Sequence, residues 1–310
     1  MESGNMRILL QFPEGLKRYA LDYAAKLEAD GNEVFISASP CYGACDLCLD
    51  EARHIRADKI IHYGHYPFIK KVLDIEVEYV PFYIDISPAV IEKLLSFVKD
   101  KGFRSISLNA TVQHMHQFKD IVKRLEELQV KVVYKEGHLA AEPGHLLGCE
   151  DGSHFQEGVD AIITIADGLF HATAISKVPS VPVYVFNPYD GKATLINDII
   201  KKRLRKRRAA LAAAIEAETI AILVSTKPGQ FSLSFALNTK KKLASFGKKT
   251  VLLVANELSP ESVGNFQGID VFINTACPRL ADDHDRFGKP VLGMDLVGEL
   301  FEQLSAMAPK

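Results

Sequence analysis

The sequence predicts an α/β protein built from three similar, Rossmann-like parallel-sheet units, and three observations carry that prediction. Short apolar runs alternate with helical patterns along the whole chain, the signature of parallel α/β structure. One order of strands recurs three times. The strand that closes each recurrence opens with aspartate: Asp58-Lys-Ile-Ile-His, Asp160-Ala-Ile-Ile-Thr and Asp270-Val-Phe-Ile-Asn. From the opening strand to that aspartate the intervals are 51, 55 and 50 residues, counted from Arg7, Ser105 and Ile220.

Taken in order, the first unit opens with RILLQF from Arg7, continues with EVFISAS from Glu33 and closes with KIIHYG from Lys59. Between its first two strands, Gly15 to Ala29 has apolar residues at helical spacing. The second unit opens with SISLNA from Ser105 and has KVVYKEG as its middle strand; the third opens with IAILVS from Ile220 and has TVLLVAN. Boundaries at 1–84, 85–192 and 193–310 give three α/β domains of about 100 residues each.

At 310 residues the chain is long enough for several cores, and 47% hydrophobic with 25% charged residues is ordinary for a soluble globular protein. A net charge of -2 gives no general footing for nucleic acid or membrane. No stretch approaches the roughly 20 apolar residues needed to span a bilayer. The N-terminus, MESGNMRILLQF, lacks a signal-peptide pattern, so a cytoplasmic location is expected. Five cysteines in a reducing compartment argue for metal or redox chemistry rather than a disulfide framework. There is no G-x-G-x-x-G after the first strand, so a nicotinamide site lacks its phosphate turn.

Three of those cysteines fall within eight positions, Cys41-Tyr-Gly-Ala-Cys45-Asp-Leu-Cys48. The spacing C-x3-C-x2-C is that of radical enzymes that split S-adenosylmethionine at a [4Fe-4S] cluster, where three thiolates leave one iron open. Two ligand sets are consistent with the residues. One is the local triplet Cys41, Cys45 and Cys48. The other takes one cysteine per unit, each just after a strand on the side where α/β proteins build their sites: Cys45, Cys149 and Cys277. Two features disfavour the first: Leu47 stands where an aromatic residue usually precedes the last cysteine, and the usual barrel needs about eight βα repeats.

Tyr42-Gly43-Ala44-Cys45-Asp46, Leu147-Gly148-Cys149 and Asn274-Thr275-Ala276-Cys277-Pro278-Arg279 resemble the three cysteine motifs of the diphthamide-synthesis radical enzymes, in their archaeal homodimeric form. Further matches are Asp167-Gly168-Leu169-Phe170-His171, Asn187-Pro188-Tyr189, Ser259-Pro260 with Asn265-Phe266, and Asp282-Asp283. The similarity covers nearly the whole chain. It implies three domains in a pseudo-threefold arrangement around a central [4Fe-4S] cluster, held by Cys45, Cys149 and Cys277. It also implies a 2-(3-amino-3-carboxypropyl)histidine synthase. Such an enzyme cleaves the γ-carbon–sulfur bond of S-adenosylmethionine and transfers the aminocarboxypropyl radical to a histidine of translation elongation factor 2, releasing methylthioadenosine. An electron donor for the cluster and a homodimer are implied in the same way.

By the same resemblance Asp167, Gly168, His171, Asn187, Tyr189 and Gln230 are expected S-adenosylmethionine contacts, each against the plainer reading of a turn or a capped helix end. Where the family carries lysine after Ser259-Pro260, this chain has Glu261-Ser262-Val263. The pairs His62/His65 and His114/His116 could bind zinc, but hydrogen-bonded or surface histidines are the default. The run Lys201 to Arg208, KKRLRKRR, lies in a helical stretch and reads as a solvated face, with steering of an acidic partner as its functional version. It has no interleaved aromatics, so nucleic acid is not expected.

Overall fold

The computed structural model describes residues 5–150, 157–282 and 284–307, the side chain of His284 excepted. It contains three sheets with one strand order. In the first, β1 (Arg7–Gln11), β2 (Glu33–Ile36), β3 (Lys59–Tyr63) and β4 (Glu76–Val80) are arranged β2-β1-β3-β4. In the second, β5 (Ser105–Ala110), β6 (Lys131–Val133), β7 (Ala161–Ile165), β8 (Val183–Phe186) and β9 (Ala193–Leu195) are arranged β6-β5-β7-β8-β9. In the third, β10 (Thr219–Ser225), β11 (Lys249–Ala255), β12 (Val271–Asn274) and β13 (Val291–Gly293) are arranged β11-β10-β12-β13. All pairings are parallel except β8 with β9.

The sequence boundary at 192/193 places Ala193–Leu195 in the third domain, whereas these residues pair antiparallel with β8 and extend the second sheet. By compactness the chain divides into two units, Met1–Ile175 with Pro179–Asn197, and Ser176–Val178 with Asp198–Lys310. The first holds two of the sheets and the second holds the third.

Apolar residues on both faces of a strand are what a parallel sheet covered on both sides requires. Strands β7 and β12 are buried at every position, while the edge strands β2 and β11 alternate. In the first unit, helix α4 (Met115–Glu127) buries Phe118, Ile121, Val122 and Leu125, the i, i+3, i+4, i+7 stripe, against the second sheet. Helix α3 (Pro88–Asp100) starts with proline at its first position, where the missing N–H costs nothing. In the second unit, Leu300 and Leu304 of α10 (Val297–Met307) and Ala236 and Leu243 of α7 (Leu233–Ser245) cover one face of the third sheet.

The recurring aspartate has a physical role. In each sheet its carboxylate accepts hydrogen bonds from the N–H groups that open the first strand. Asp58 Oδ2 accepts from Arg7 N at 2.7 Å; Asp160 Oδ2 from Arg104 N and Ser105 N at 2.7 and 2.9 Å; Asp270 Oδ2 from Glu218 N and Thr219 N at 3.0 and 2.8 Å. These bonds favour the ionised form, so the carboxyls of Asp160 and Asp270 are held below the ordinary value of 3.8. A depressed carboxylate contributes stability that is present above about pH 3.8 and is lost as pH falls through the lower folded value. Asp160→Ala should cost roughly 1 kcal/mol at neutral pH. Asp160→Asn, which keeps an acceptor but cannot ionise, should lose less and flatten the dependence of the urea midpoint on pH below 4.

Candidate metal centre

Because every strand of the first and third sheets runs the same way, the loops that follow strands gather at one edge of each sheet. Cys45 lies in the loop after β2, Cys149 in the loop after β6, and Cys277 immediately after β12. Cys45, Cys149 and Cys277 are partly exposed, whereas Cys41 and Cys48 are buried. Burial raises the Cys48 thiol far above its ordinary value, with Glu51 adding to the shift.

A polar relay fixes the Cys45 loop in the first unit. Gln11, at the C-terminal end of β1, is 2% exposed and pairs in register with His62 of β3. Its Nε2 donates to the carbonyl of Asp46 at 2.6 Å. Its Oε1 accepts from Cys48 N at 3.4 Å and from His62 Nδ1 at 2.9 Å. Since Oε1 can only accept, the His62 proton lies on Nδ1, and Nε2 is free to accept from His65 Nδ1 at 3.0 Å. Burial, helped by His65, pushes the His62 imidazole down to about 3, so this relay is neutral.

Gln11→Leu keeps the volume but strips all three bonds. A loss of about 2 kcal/mol is expected, with Cys41 and Cys48 becoming reactive to thiol reagents. A base whose folded value lies below its unfolded 6.5 destabilises the fold on acidification. Stability should therefore be full above pH 6.5 and decline as pH falls toward 3, a slope that His62→Asn should reduce in denaturant titrations.

The Cys149 loop is anchored differently. Ala110, the last residue of β5, donates to Gly144 O and accepts from Leu146 N, both at 2.9 Å, which prolongs the sheet into the loop. At Gly148 a Cβ would lie 2.3 Å from the Phe170 ring, so any larger residue before the cysteine would have to displace that ring. Tyr66, just after β3, packs edge-on against His145 with ring centroids 5.1 Å apart. His65 and His171 both lower the His145 imidazole, after its burial, to about 4. The surroundings of the Cys45 and Cys149 loops therefore meet at His65, Tyr66 and His145.

In the second unit Asn274 holds the Cys277 turn: its Nδ2 donates to Cys277 O at 2.7 Å, and its Oδ1 accepts from Ala276 N at 3.0 Å. His62, Thr164 and Asn274 each stand four residues after the recurring aspartate, one residue before the end of β3 and of β7 and at the end of β12. The sequence reading passed over Gln11, His62 and Asn274 as positioning residues. Their signal was a polar side chain interrupting an apolar strand at its C-terminal end.

Of the expected cofactor contacts, Asp167, Gly168, His171, Asn187 and Tyr189 lie in the first unit, after β7 and β8. Asp167 is close enough to Tyr189 to raise its phenol, though burial contributes more. Gly168 is extended and caps the short helix α5 (Leu169–Ala172), with nothing of the protein within 4 Å of where a Cβ would be. Asn187 Oδ1 accepts from Tyr189 N at 2.8 Å and Asp190 N at 3.3 Å, so this amide oxygen builds a turn. Gln230 N donates to Lys227 O in a turn after β10 of the second unit. His114 Nδ1 donates to Ile84 O at 3.0 Å, His116 pairs with Asp85, and His62 and His65 bond to each other, so each histidine pair has ring nitrogens engaged within the protein.

The basic run departs from expectation. In α6 (Asn197–Glu216), Arg203 pairs with Asp282 at 2.6 Å, Lys206 with Asp285, Arg207 with Asp295 and Arg208 with Glu299. Most of the run fastens α6 to the segments after Cys277 rather than forming a plain solvated face. Asp283 lies outside the described residues. Ser259 caps helix α8 (Pro260–Val263) through a reciprocal bond with Ser262, which gives the lysine-free Glu261-Ser262 stretch a structural use.

Among the described residues no three His, Cys, Asp or Glu side chains are gathered as a metal-holding group, the local triplet included. What fits a [4Fe-4S] cluster is the donor chemistry: three partly exposed thiols on loops after strands, whereas Cys41 and Cys48 are buried.

The fold and these loops define a protein of three mostly parallel α/β sheets with a partly exposed thiol following a strand of each. The profile of the family described as "Putative diphthamide synthesis protein" matches residues 12–296. The 2-(3-amino-3-carboxypropyl)histidine synthase of Pyrococcus horikoshii is 33% identical over 294 residues, 93% of this chain and 84% of that one. Subunit 1 of the Saccharomyces cerevisiae synthase is 32% identical over 295 residues, covering 92% of this chain and 68% of the relative. The crystal structure of Dph2 from Pyrococcus horikoshii with a 4Fe-4S cluster superposes with a TM-score of 0.86 at 31% identity, covering 97% of this chain and 87% of that one. The chain belongs to the diphthamide synthesis family.

Proposed function

We propose that this protein is a 2-(3-amino-3-carboxypropyl)histidine synthase, with Cys45, Cys149 and Cys277 as the ligands of one [4Fe-4S] cluster. Three α/β domains, in a pseudo-threefold arrangement, would each present one thiol. The observation that carries the reading is that the partly exposed cysteines are those three, one after a strand of each sheet, in a chain of this family. When bound, the cluster supplies the electron that splits the γ-carbon–sulfur bond of S-adenosylmethionine, so that its aminocarboxypropyl group passes to a histidine of translation elongation factor 2 and methylthioadenosine leaves.

The chain's own residues do the positioning. Gln11 and His62 hold the Cys45 loop, Ala110 and Gly148 seat the Cys149 loop, and Asn274 shapes the Cys277 turn. Orientation of the sulfonium decides which of its carbons is cleaved. Asp167, His171 and Tyr189, with Gly168, Asn187 and Gln230, are the residues assigned to that orientation. A homodimer, an external electron donor and a cytoplasmic location complete the proposal. Among the described residues no helix is long and apolar enough to cross a membrane.

The test is product analysis on anaerobically reconstituted, reduced protein with S-adenosylmethionine and elongation factor 2. Methylthioadenosine, with an aminocarboxypropyl group on a histidine of the factor, is the expected result. Formation of 5′-deoxyadenosine instead, retained in Cys149→Ala, would return the function to the local triplet. Absence of any cleavage by a cluster-loaded protein would make it an electron-carrying or scaffolding iron–sulfur protein.

A further inference from the structure

We propose that the second unit carries a binding site for an organic phosphate, formed between α6 and the segment Ser176–Val178, in a cavity whose lining contains none of the cysteines. The cavity has a volume of about 640 Å³, the size that small organic ligands fill. Lys177, Lys201, Arg205, Arg207 and Arg208 line it, and Asp295 is the one carboxylate among the lining residues.

The pairing pattern divides these cations. Arg207 is neutralised by Asp295 and Arg208 by Glu299. Lys201 reaches Asp198 only at 3.7 Å, between exposed side chains, a contact of little strength. Among the described residues, no carboxylate pairs with Lys177 or Arg205; the Arg205 Nε makes only a 3.4 Å bond to Lys201 O. Lys201, Arg205 and Arg208 stand at i, i+4 and i+7, one face of α6. Arg203, whose partner is Asp282, lies outside the lining. Of the cations at the wall, Arg207 and Arg208 are thus paired with acids, while Lys177, Lys201 and Arg205 carry the charge offered to a ligand.

The remaining lining fits a ligand with an apolar body. Val178 is 56% exposed at the cavity, beside Leu204 and Leu296. Guanidinium donors bind phosphate through two parallel N–H bonds, and an ammonium adds a compact point charge. A phosphate group concentrates two negative charges in the volume that Lys177 and Arg205 flank, which a single carboxylate does not. An organic phosphate satisfies both the charged and the apolar parts of the wall.

ATP is the probe, measured by isothermal titration calorimetry on the full-length protein with excess methylthioadenosine present to fill any surface that recognises adenosine. ATP is expected to bind, and the double variant Lys177→Ala/Arg205→Ala to weaken it at least roughly tenfold, about 1.4 kcal/mol, with an unchanged melting temperature. Lys202→Ala, on the same helix but outside the lining, should bind as the parent does. Adenosine, citrate and inorganic triphosphate should each bind more weakly than ATP. The proposal is overturned if ATP does not bind at millimolar concentration, if the double variant binds it equally, or if citrate or bare triphosphate binds as tightly. Because the assay needs no cluster and no elongation factor, its outcome is independent of the proposed transferase activity.

Discussion

Anaerobic reconstitution of Cys149→Ala or Cys277→Ala is expected to give a folded protein without the absorbance and iron content of a [4Fe-4S] cluster, and Cys45→Ala the same. Two thiolates cannot hold three irons. The other thiols are poor replacements, because Cys41 and Cys48 are buried and the Cys48 thiol is raised far above its ordinary value. Product formation should fall more than roughly a hundredfold, about 2.7 kcal/mol in barrier. Cys41→Ala and Cys48→Ala should retain iron and instead lose about 1–2 kcal/mol of stability, the cost of removing a small buried group from a packed site. The comparison within one cysteine-rich loop is the informative one. Iron lost from Cys41→Ala and Cys48→Ala, but kept in Cys149→Ala and Cys277→Ala, would restore the local triplet and the 5′-deoxyadenosyl chemistry that goes with it.

Asp282→Ala is expected to lower the stability of the second unit by about 2–3 kcal/mol, the scale for removing one member of a largely buried charge cluster. Asp282 is 13% exposed in its side chain and meets two cations, Arg203 of α6 at 2.6 Å and Arg279 at 3.0 Å, which are 13% and 15% exposed. Deleting the carboxylate leaves two guanidiniums facing one another with little water. Asp282→Asn should be nearly as damaging, because it keeps the shape and loses the charge. Arg203→Ala in the Asp282→Ala background should cost much less than in the parent, and a thermal-denaturation double-mutant cycle reads that coupling directly. Additive losses would show that the pair does not act as a unit.

Local pattern made most of the architecture readable, because a parallel sheet demands unbroken apolar strands with punctuation between them. RILLQ, SISLNA and TIAILVS are strands for that reason, and the recurring aspartates mark the same backbone clamp three times. What escaped the sequence reading was set by partners distant along the chain. The acids that neutralise α6 lie 79 to 91 residues away, so KKRLRKRR reads locally as a solvated face. Ala193–Leu195 gains its strand identity only by pairing with β8. The Gln11–His62 bond spans 51 residues, and nothing near either one announces it. The cysteines themselves were legible as thiols after strands. Their ranking by exposure required the packed loop.

The aspartate clamps act at the N-terminal ends of the opening strands, whereas the thiols follow strands at the opposite edge. Structural integrity and the proposed metal chemistry thereby fall at opposite poles of each sheet. Unlike a zinc finger, whose folding free energy comes from its ion, such a protein can be completed before any inorganic component arrives. Stripping iron with a chelator should leave its circular dichroism and cooperative unfolding intact, and oxygen damage to the metallocentre should yield a reloadable apoprotein rather than an aggregate. Repair then becomes a matter of resupplying iron and sulfide, not of resynthesising the chain.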